Sequence, residues 1–259
     1  MLSEAAVQGR LAEALGEAGG AWERGWVLAA MGRFGEALTV LEDAMSGPER
    51  ARALGTRASV YRQLSLHELA ERDDDAGLAA TDDPAVRAGL LVGKVADALG
   101  LGLRGEWRPR ALLAADSVAA AGDWRQRLRL AWVTGETAMY EGAPDAATPH
   151  FAEAVTRAVE HGARRHETKS HLFLGAAHAA LGNTAAAQGH ARAALSLARD
   201  TGARPLQWAA ALVLAEAGER PDEHVDEARR VLAAILDGLP DDLRAAALAR
   251  DPARWLLGG

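Results

Sequence analysis

Gly100-Leu101-Gly102-Leu103-Arg104-Gly105 has the G-x-G-x-x-G spacing whose glycines let a backbone cradle a dinucleotide pyrophosphate. That chemistry needs a strand before the first glycine and a helix opening inside the loop, so that the phosphates meet a helix N-terminus. The residues before it, Arg87 to Gly100, carry a helical period instead, and Leu101 to Glu106 reads as a short insertion before a helix starting near Trp107. No cofactor is implied. His166-Glu167-Thr168-Lys169-Ser170-His171 has one residue too many for the metalloprotease signature. Side chains five apart on a helix point about 140° away from each other and cannot share a zinc ion. His171 and His178, seven apart, share a face and read as helix packing. Asp73-Asp74-Asp75 and Asp82-Asp83 lack the glycine and closing glutamate of a calcium loop. The triplet is expected on a solvated helix face, and Asp83 as the cap of a helix that Pro84 begins. Gly93-Lys94 lacks the first glycine and the hydroxyl residue of a phosphate loop, and no serine sits in a nucleophile elbow. No catalytic residue, metal or cofactor is expected, and the chain is read as a non-enzyme.

The composition fits that reading. The 259 residues are 49% hydrophobic, enough to bury a sizeable core, and contain no cysteine, which removes disulfides, thiolate zinc sites and cysteine nucleophiles together. The first twenty residues lack the basic start and apolar run of a leader, and no segment approaches about 18 uninterrupted apolar residues, so the expected location is the cytoplasm. A net charge of -7 argues against a broad nucleic-acid surface while leaving room for local basic patches. Only Lys94 and Lys169 of the 29 basic residues are lysine, and Ile235 is the one isoleucine. Strand signals are therefore nearly absent and helix formers dominate, which predicts an all-α class.

A helix-turn-helix unit is clearest in "AWERGWVLAAMGRFGEALTVLEDAM", with Gly25 in mid-helix, Gly32 at the turn, and Phe34, Ala37, Leu41 and Ala44 at helical spacing. The order returns with Gly135, Gly142, Ala147, Phe151 and Ala154, and again with Gly175, Gly182, Ala187, Ala191 and Ala194. Weaker copies centre on Ala58, Gly93 and Leu212, with the third unit expected to turn at Gly100. The six anchors are 33, 35, 42, 40 and 37 residues apart. This order of small and apolar residues resembles the tetratricopeptide repeat, whose period is about 34. The stretched later units are similar to the tetratricopeptide-type arrays of bacterial transcriptional regulators and signalling ATPases. The resemblance implies one domain over residues 1–259, a right-handed α-solenoid of about six hairpins (20–238) between an N-terminal helix (3–18) and a C-terminal cap (239–259).

It further implies that binding uses the concave face, onto which it places Trp22, Trp26, Arg52, Arg62, Arg87, Lys94, Arg129, Trp132, Glu136, Met139, Tyr140 and Lys169. Arginine and aromatic side chains are common interface anchors, and a guanidinium fork suits a carboxylate. Trp22 and Trp132 keep a second reading, as packing between helices. The expected function is a protein- or peptide-binding scaffold or adaptor, with an acidic or C-terminal-carboxylate-bearing partner and no direct nucleic-acid or membrane contact. The alternative is a stand-alone sensor domain that takes a small molecule or signalling peptide. Titration with a nicotinamide dinucleotide should give no saturable fluorescence transfer from tryptophan. Saturation at micromolar cofactor would overturn the reading of Gly100 to Gly105 as turn and insertion.

Overall fold

The computed structural model describes residues 2–258, and every regular element among them is a helix. Two short helices, α1 (Glu4–Val7) and α2 (Leu11–Glu17), precede six hairpins. The hairpins are α3 (Ala21–Ala30) with α4 (Phe34–Glu42), α5 (Arg50–Gln63) with α6 (His67–Ala79), and α7 (Pro84–Gly100) with α8 (Trp107–Ala121). They continue as α9 (Trp124–Tyr140) with α10 (Pro144–Glu160), α11 (Arg164–Ala180) with α12 (Thr184–Thr201), and α13 (Arg204–Glu216) with α14 (Pro221–Leu236). Helices α15 (Asp241–Leu248) and α16 (Ala253–Leu257) follow. From α1 to α14 each helix packs on the next, and the first helices of successive hairpins also touch, which is the neighbour pattern of an α-solenoid.

Local chemistry sets the ends of several helices. The Asp83 carboxylate accepts from the N–H groups of Ala85 and Val86 ahead of Pro84, and Asp123 accepts from Gln126, so α7 and α9 begin on side-chain caps. The hairpin turns need a left-handed residue, supplied by Gly142 (φ 76°) in the fourth and by Ser65 (φ 58°) in the second. In the third hairpin that residue is Gly102 (φ 68°), not Gly100. Gly100 is instead the last residue of α7, and the His67 ring occupies the space a Cβ would need.

Within a hairpin the apolar faces are narrow and built of small residues. Helix α12 buries Ala187, Ala191, Ala194, Leu195 and Ala198, a stripe at helical spacing. Opposite it, a Cβ at Gly175 would stand 3.2 Å from Ala191 N and 3.3 Å from Ala187 O, so the two backbones are nearly in contact. All six sequence anchors lie in the first helices, where the repeat pattern puts them.

Three sequence expectations change. Residues 3–18 form two helices, because the chain breaks at Gly9 (φ 74°), where a Cβ would stand 2.6 Å from Thr201 Cγ2 of α12. The C-terminal cap is likewise two helices, broken before Pro252. The Asp triplet is not solvated: Asp74 is fully buried and Asp73 nearly so, leaving only Asp75 exposed.

The array also turns far enough for its ends to meet. A Cβ at Gly32 would lie 3.1 Å from both Pro205 Cδ and Ile235 Cγ1, and Gly35 sits directly on the Gly238 carbonyl. Ser65 Oγ donates to Asp251 O at 2.8 Å, and Arg250 reaches Glu68 at 3.4 Å. One apolar core therefore joins Leu11, Val27 and Leu28 at one end to Leu195, Leu214, Ile235 and Leu256 at the other.

Ala147 and Ala187 are fully buried on the second helices of their hairpins. Ala147→Leu and Ala187→Leu should each lower unfolding free energy by about 1–3 kcal/mol through overpacking. Chemical denaturation checks this, and wild-type midpoints for both would contradict these helix faces.

Candidate functional site

The first helices face inward, and their inner residues are charged or aromatic. Arg62 on α5 is the centre of one group. Its Nη1 donates to Asp74 Oδ2 at 2.6 Å and to Asp97 Oδ2 at 2.8 Å, and both carboxylates are fully buried. Asp97 Oδ1 lies 3.1 Å from His67 Nδ1. Gly93 allows this, since Asp74 and Arg62 fill the place of its missing side chain. Burial pushes the Asp74 carboxyl up to about 7, with Asp97 adding to the shift and Arg62 opposing it.

A second group lies on α9 and α11. Arg125 and Arg129 are one turn apart, as are Arg165 and Lys169, and His166 sits among the four cations. Burial pushes the His166 ring down to about 3, and the charges of Arg165, Arg125, Arg129 and Lys169 push the same way. The ring stacks on Trp132, centroids 5.6 Å apart. Trp132 donates its Nε1–H to Ser170 Oγ at 2.9 Å, and Lys169 Nζ stands 4.6 Å from the Trp132 ring centre. Arg165 lies over Trp26 of α3 at 5.7 Å, a contact made across the concave face because the array closes. Burial lowers Arg165 to about 10, and burial together with Arg62 lowers Arg129 to about 10. Lys169 is lowered to about 8 by burial, against the pull of Glu136. Glu136 is itself raised by burial, opposed by Lys169, His67 and Arg62.

Of the sequence-predicted residues, Trp26, Arg62, Arg129, Trp132, Glu136 and Lys169 share this inner region. Trp22 is interior, its Nε1–H donating to Thr56 Oγ1 at 3.1 Å, and Trp132 is equally buried, so packing is the better description of both rings. Arg52, Arg87, Lys94 and Arg129, all expected on the concave face, do not line one continuous basic surface. Arg52 pairs with Asp83 at 2.7 Å, and Arg87 donates to the carbonyls of Leu78 and Thr81 at 3.0 Å each. Lys94 turns toward α6, where it pairs with Asp75 at 2.6 Å and Glu71 at 3.4 Å. Met139 packs beside the Phe151 core, and Tyr140 is exposed against Trp107 at 6.4 Å.

Sequence reasoning missed Arg125, Arg165 and His166. A signal was present: Arg125 to Arg165 and Arg129 to Lys169 are both 40 residues apart, the same interval as Gly135 to Gly175. The histidines divide as their spacing predicts, His166 toward Trp132 and His171 toward His190 of α12, Nδ1 to Nδ1 3.0 Å. His178 stacks on His190 at 5.5 Å. Among the described residues no group of three side chains converges as metal ligands, and no helix is long and apolar enough to cross a membrane.

No family model matches the sequence, and no curated protein matches it. Among solved structures the fold is similar to a Signal Transduction ATPase with Numerous Domains (STAND) protein with a tetratricopeptide repeat sensor, from Pyrococcus horikoshii. The TM-score is 0.55 at 14% sequence identity, and the likeness covers 85% of this chain and 32% of that one. The chain thus spans about a third of that protein's length. The fold is a tetratricopeptide-like helical repeat array.

The depressed His166 pKa has a stability consequence. The ring binds a proton near pH 6.5 when unfolded but only near 3 when folded, so the unfolded state gains protons first as pH falls. Stability is lost on acidification below about 6.5, and His166 alone accounts for at most about 2 kcal/mol between pH 7 and 5. Asp74, raised to about 7, works in the opposite direction, so the comparison is with His166→Phe. Wild type should lose stability relative to this variant over that interval. Parallel curves of denaturation midpoint against pH would show that the buried ring does not resist protonation.

Proposed function

We propose that the chain is a non-catalytic recognition module that holds a protein or peptide segment of acidic character along its concave face. The observation that carries the reading is the character of that face. Arg129, Arg165 and Lys169 are half-buried cations on adjacent first helices, and none has a carboxylate within salt-bridge distance among the described residues. Acidic side chains or a C-terminal carboxylate would supply counter-charge. Trp26 supplies a partly exposed aromatic surface beside Arg165. Extended contact along stacked hairpins suits a peptide better than a compact domain.

The sensor reading has its own support. Contacts between the first and last hairpins narrow access to the concave face, which favours a slender peptide or a small ligand. The structurally similar protein from Pyrococcus horikoshii is described as having a tetratricopeptide repeat sensor. In this reading the ligand shifts the contact between the array's ends, and a partner reads the shift. Soluble and adaptor-like behaviour in the cytoplasm belongs to the same proposal.

A labelled set of acidic, neutral and basic peptides, each with a free or amidated C-terminus, tests the proposal by fluorescence polarisation at two salt concentrations. Acidic peptides should bind best and weaken with salt. Arg129→Glu together with Arg165→Glu should weaken them by at least about tenfold. Equal affinity for acidic and basic peptides, or no loss in a double variant with an intact helical spectrum, would remove the concave face from consideration.

A further inference from the structure

The half-buried cations of this protein fall into two kinds. Arg57, Arg62, Arg110 and Lys94 each have two carboxylates within 4 Å: Asp73 and Glu42, Asp74 and Asp97, Glu71 and Glu106, and Glu71 and Asp75 respectively. Arg52 pairs with Asp83, and Arg87 is bound by two backbone carbonyls. Arg125, Arg129, Arg165 and Lys169 have no carboxylate within salt-bridge distance among the described residues, and they sit as two one-turn pairs on α9 and α11 around His166, which stacks on Trp132 under Lys169 and tilts against Trp124 under Arg125. Arg129 is hydrogen-bonded only to the neutral Gln126, at 3.0 Å. The Nε atoms of Arg125 and Arg165 and the Nδ1 of His166 are buried without any partner.

The carboxylates nearest the group do not neutralise it. Asp74 is engaged by Arg62, Asp123 caps α9 through Gln126 N, and Glu136 stands against Lys169 with burial opposing its ionised form. Four cations against one carboxylate, in surroundings of low polarity, are costly to the folded chain unless an anion joins them. A single carboxylate leaves most of the excess charge unmet. A phosphoryl group offers close to two negative charges and three acceptor oxygens to guanidinium forks, and so meets more of it.

We propose that Arg129, Arg165 and Lys169, with Arg125 over Trp124 on the same helix as Arg129, form a binding site for a phosphoryl group carried by a small ligand or a phosphorylated side chain. The Lys169 ammonium lies over the Trp132 ring and the Arg165 guanidinium over the Trp26 ring, so the cationic heads are held in place before the ligand arrives. Contact between α3 and α11 makes the site depend on closure of the array, which couples ligand binding to the junction of its ends. The inference rests on the concave face being the binding surface and replaces the acidic group by a phosphoryl group at its most basic point.

The test is calorimetry and thermal unfolding of the full chain in chloride buffer with pyrophosphate, phosphoserine and triaspartate as probes. Pyrophosphate should bind saturably and raise Tm. Arg129→Gln with Arg165→Gln should weaken it by at least about tenfold. Arg129→Lys, which keeps the charge and loses the fork, should fall between the two and covers the case in which the double variant does not fold. Without ligand, Lys169→Met should melt above wild type, because it removes an uncompensated ammonium. A lower Tm for Lys169→Met would mean that Lys169 is a structural partner of Trp132, and would overturn the site. Triaspartate binding without either phosphoryl probe would overturn the phosphoryl assignment while leaving the acidic-peptide reading in place. Pyrophosphate binding with no acidic peptide bound would do the reverse. Phosphoserine against pyrophosphate separates a modified side chain from a small ligand, and binding of neither overturns the proposal.

Discussion

At Gly25 a Cβ would stand 2.6 Å from Leu41, at Gly135 it would run into the Phe151 ring, and at Gly175 it would press on the backbone of α12. The architecture depends on this close approach of paired helices. A helix that meets its partner through glycine and alanine comes nearer than one that meets it through leucine, and the distance fixes how each hairpin stacks on the next. The alanine-rich stripes of α10 and α12 are therefore geometric as much as hydrophobic. Each buries little area per residue, and many such contacts replace a few large ones.

Over six stacked hairpins the first and the last come into contact. Gly35 then meets Gly238, and Gly32 meets Pro205 and Ile235. Burial changes the physics of the inner face. Protein packed around these side chains lowers the pKa of Arg129, Arg165, Lys169 and His166 and raises that of Asp74 and Glu136. The two halves of that face answer differently. Around Arg62 the sequence supplies carboxylates from α6 and α7, whereas around Arg129 and Arg165 it supplies tryptophans and a neutral histidine. An ion network that carries its own counter-charges serves as structure, whereas cations without them leave electrostatic free energy that an anionic ligand can release.

Much of this was legible in the order of residues. Helical period, missing strand formers and small residues at Gly25, Gly93, Gly135 and Gly175 specify helices in pairs, because an amphipathic helix with a small-residue stripe needs a close partner. The same logic separates His166 from His171, since spacing along one helix decides which side chains can converge. Asp83 before Pro84 was likewise readable as a cap, because capping is local chemistry.

Sequence alone determined the all-helical repeat, its anchors and the inward placement of Trp26, Arg62, Arg129, Glu136 and Lys169. Tertiary structure decided which of the charges are paired. Asp74 reads as solvated in its acidic run, yet it is fully buried because Gly93 of the next hairpin leaves room for it beside Arg62. Lys94 reads as concave and instead turns to Glu71 and Asp75, since those carboxylates lie closer. Arg165 acquires Trp26 only because the array closes on itself. Periodicity is a property of one helix and its nearest neighbour, but the electrostatic state of a side chain depends on every element within several ångströms, and those elements come from distant parts of the chain.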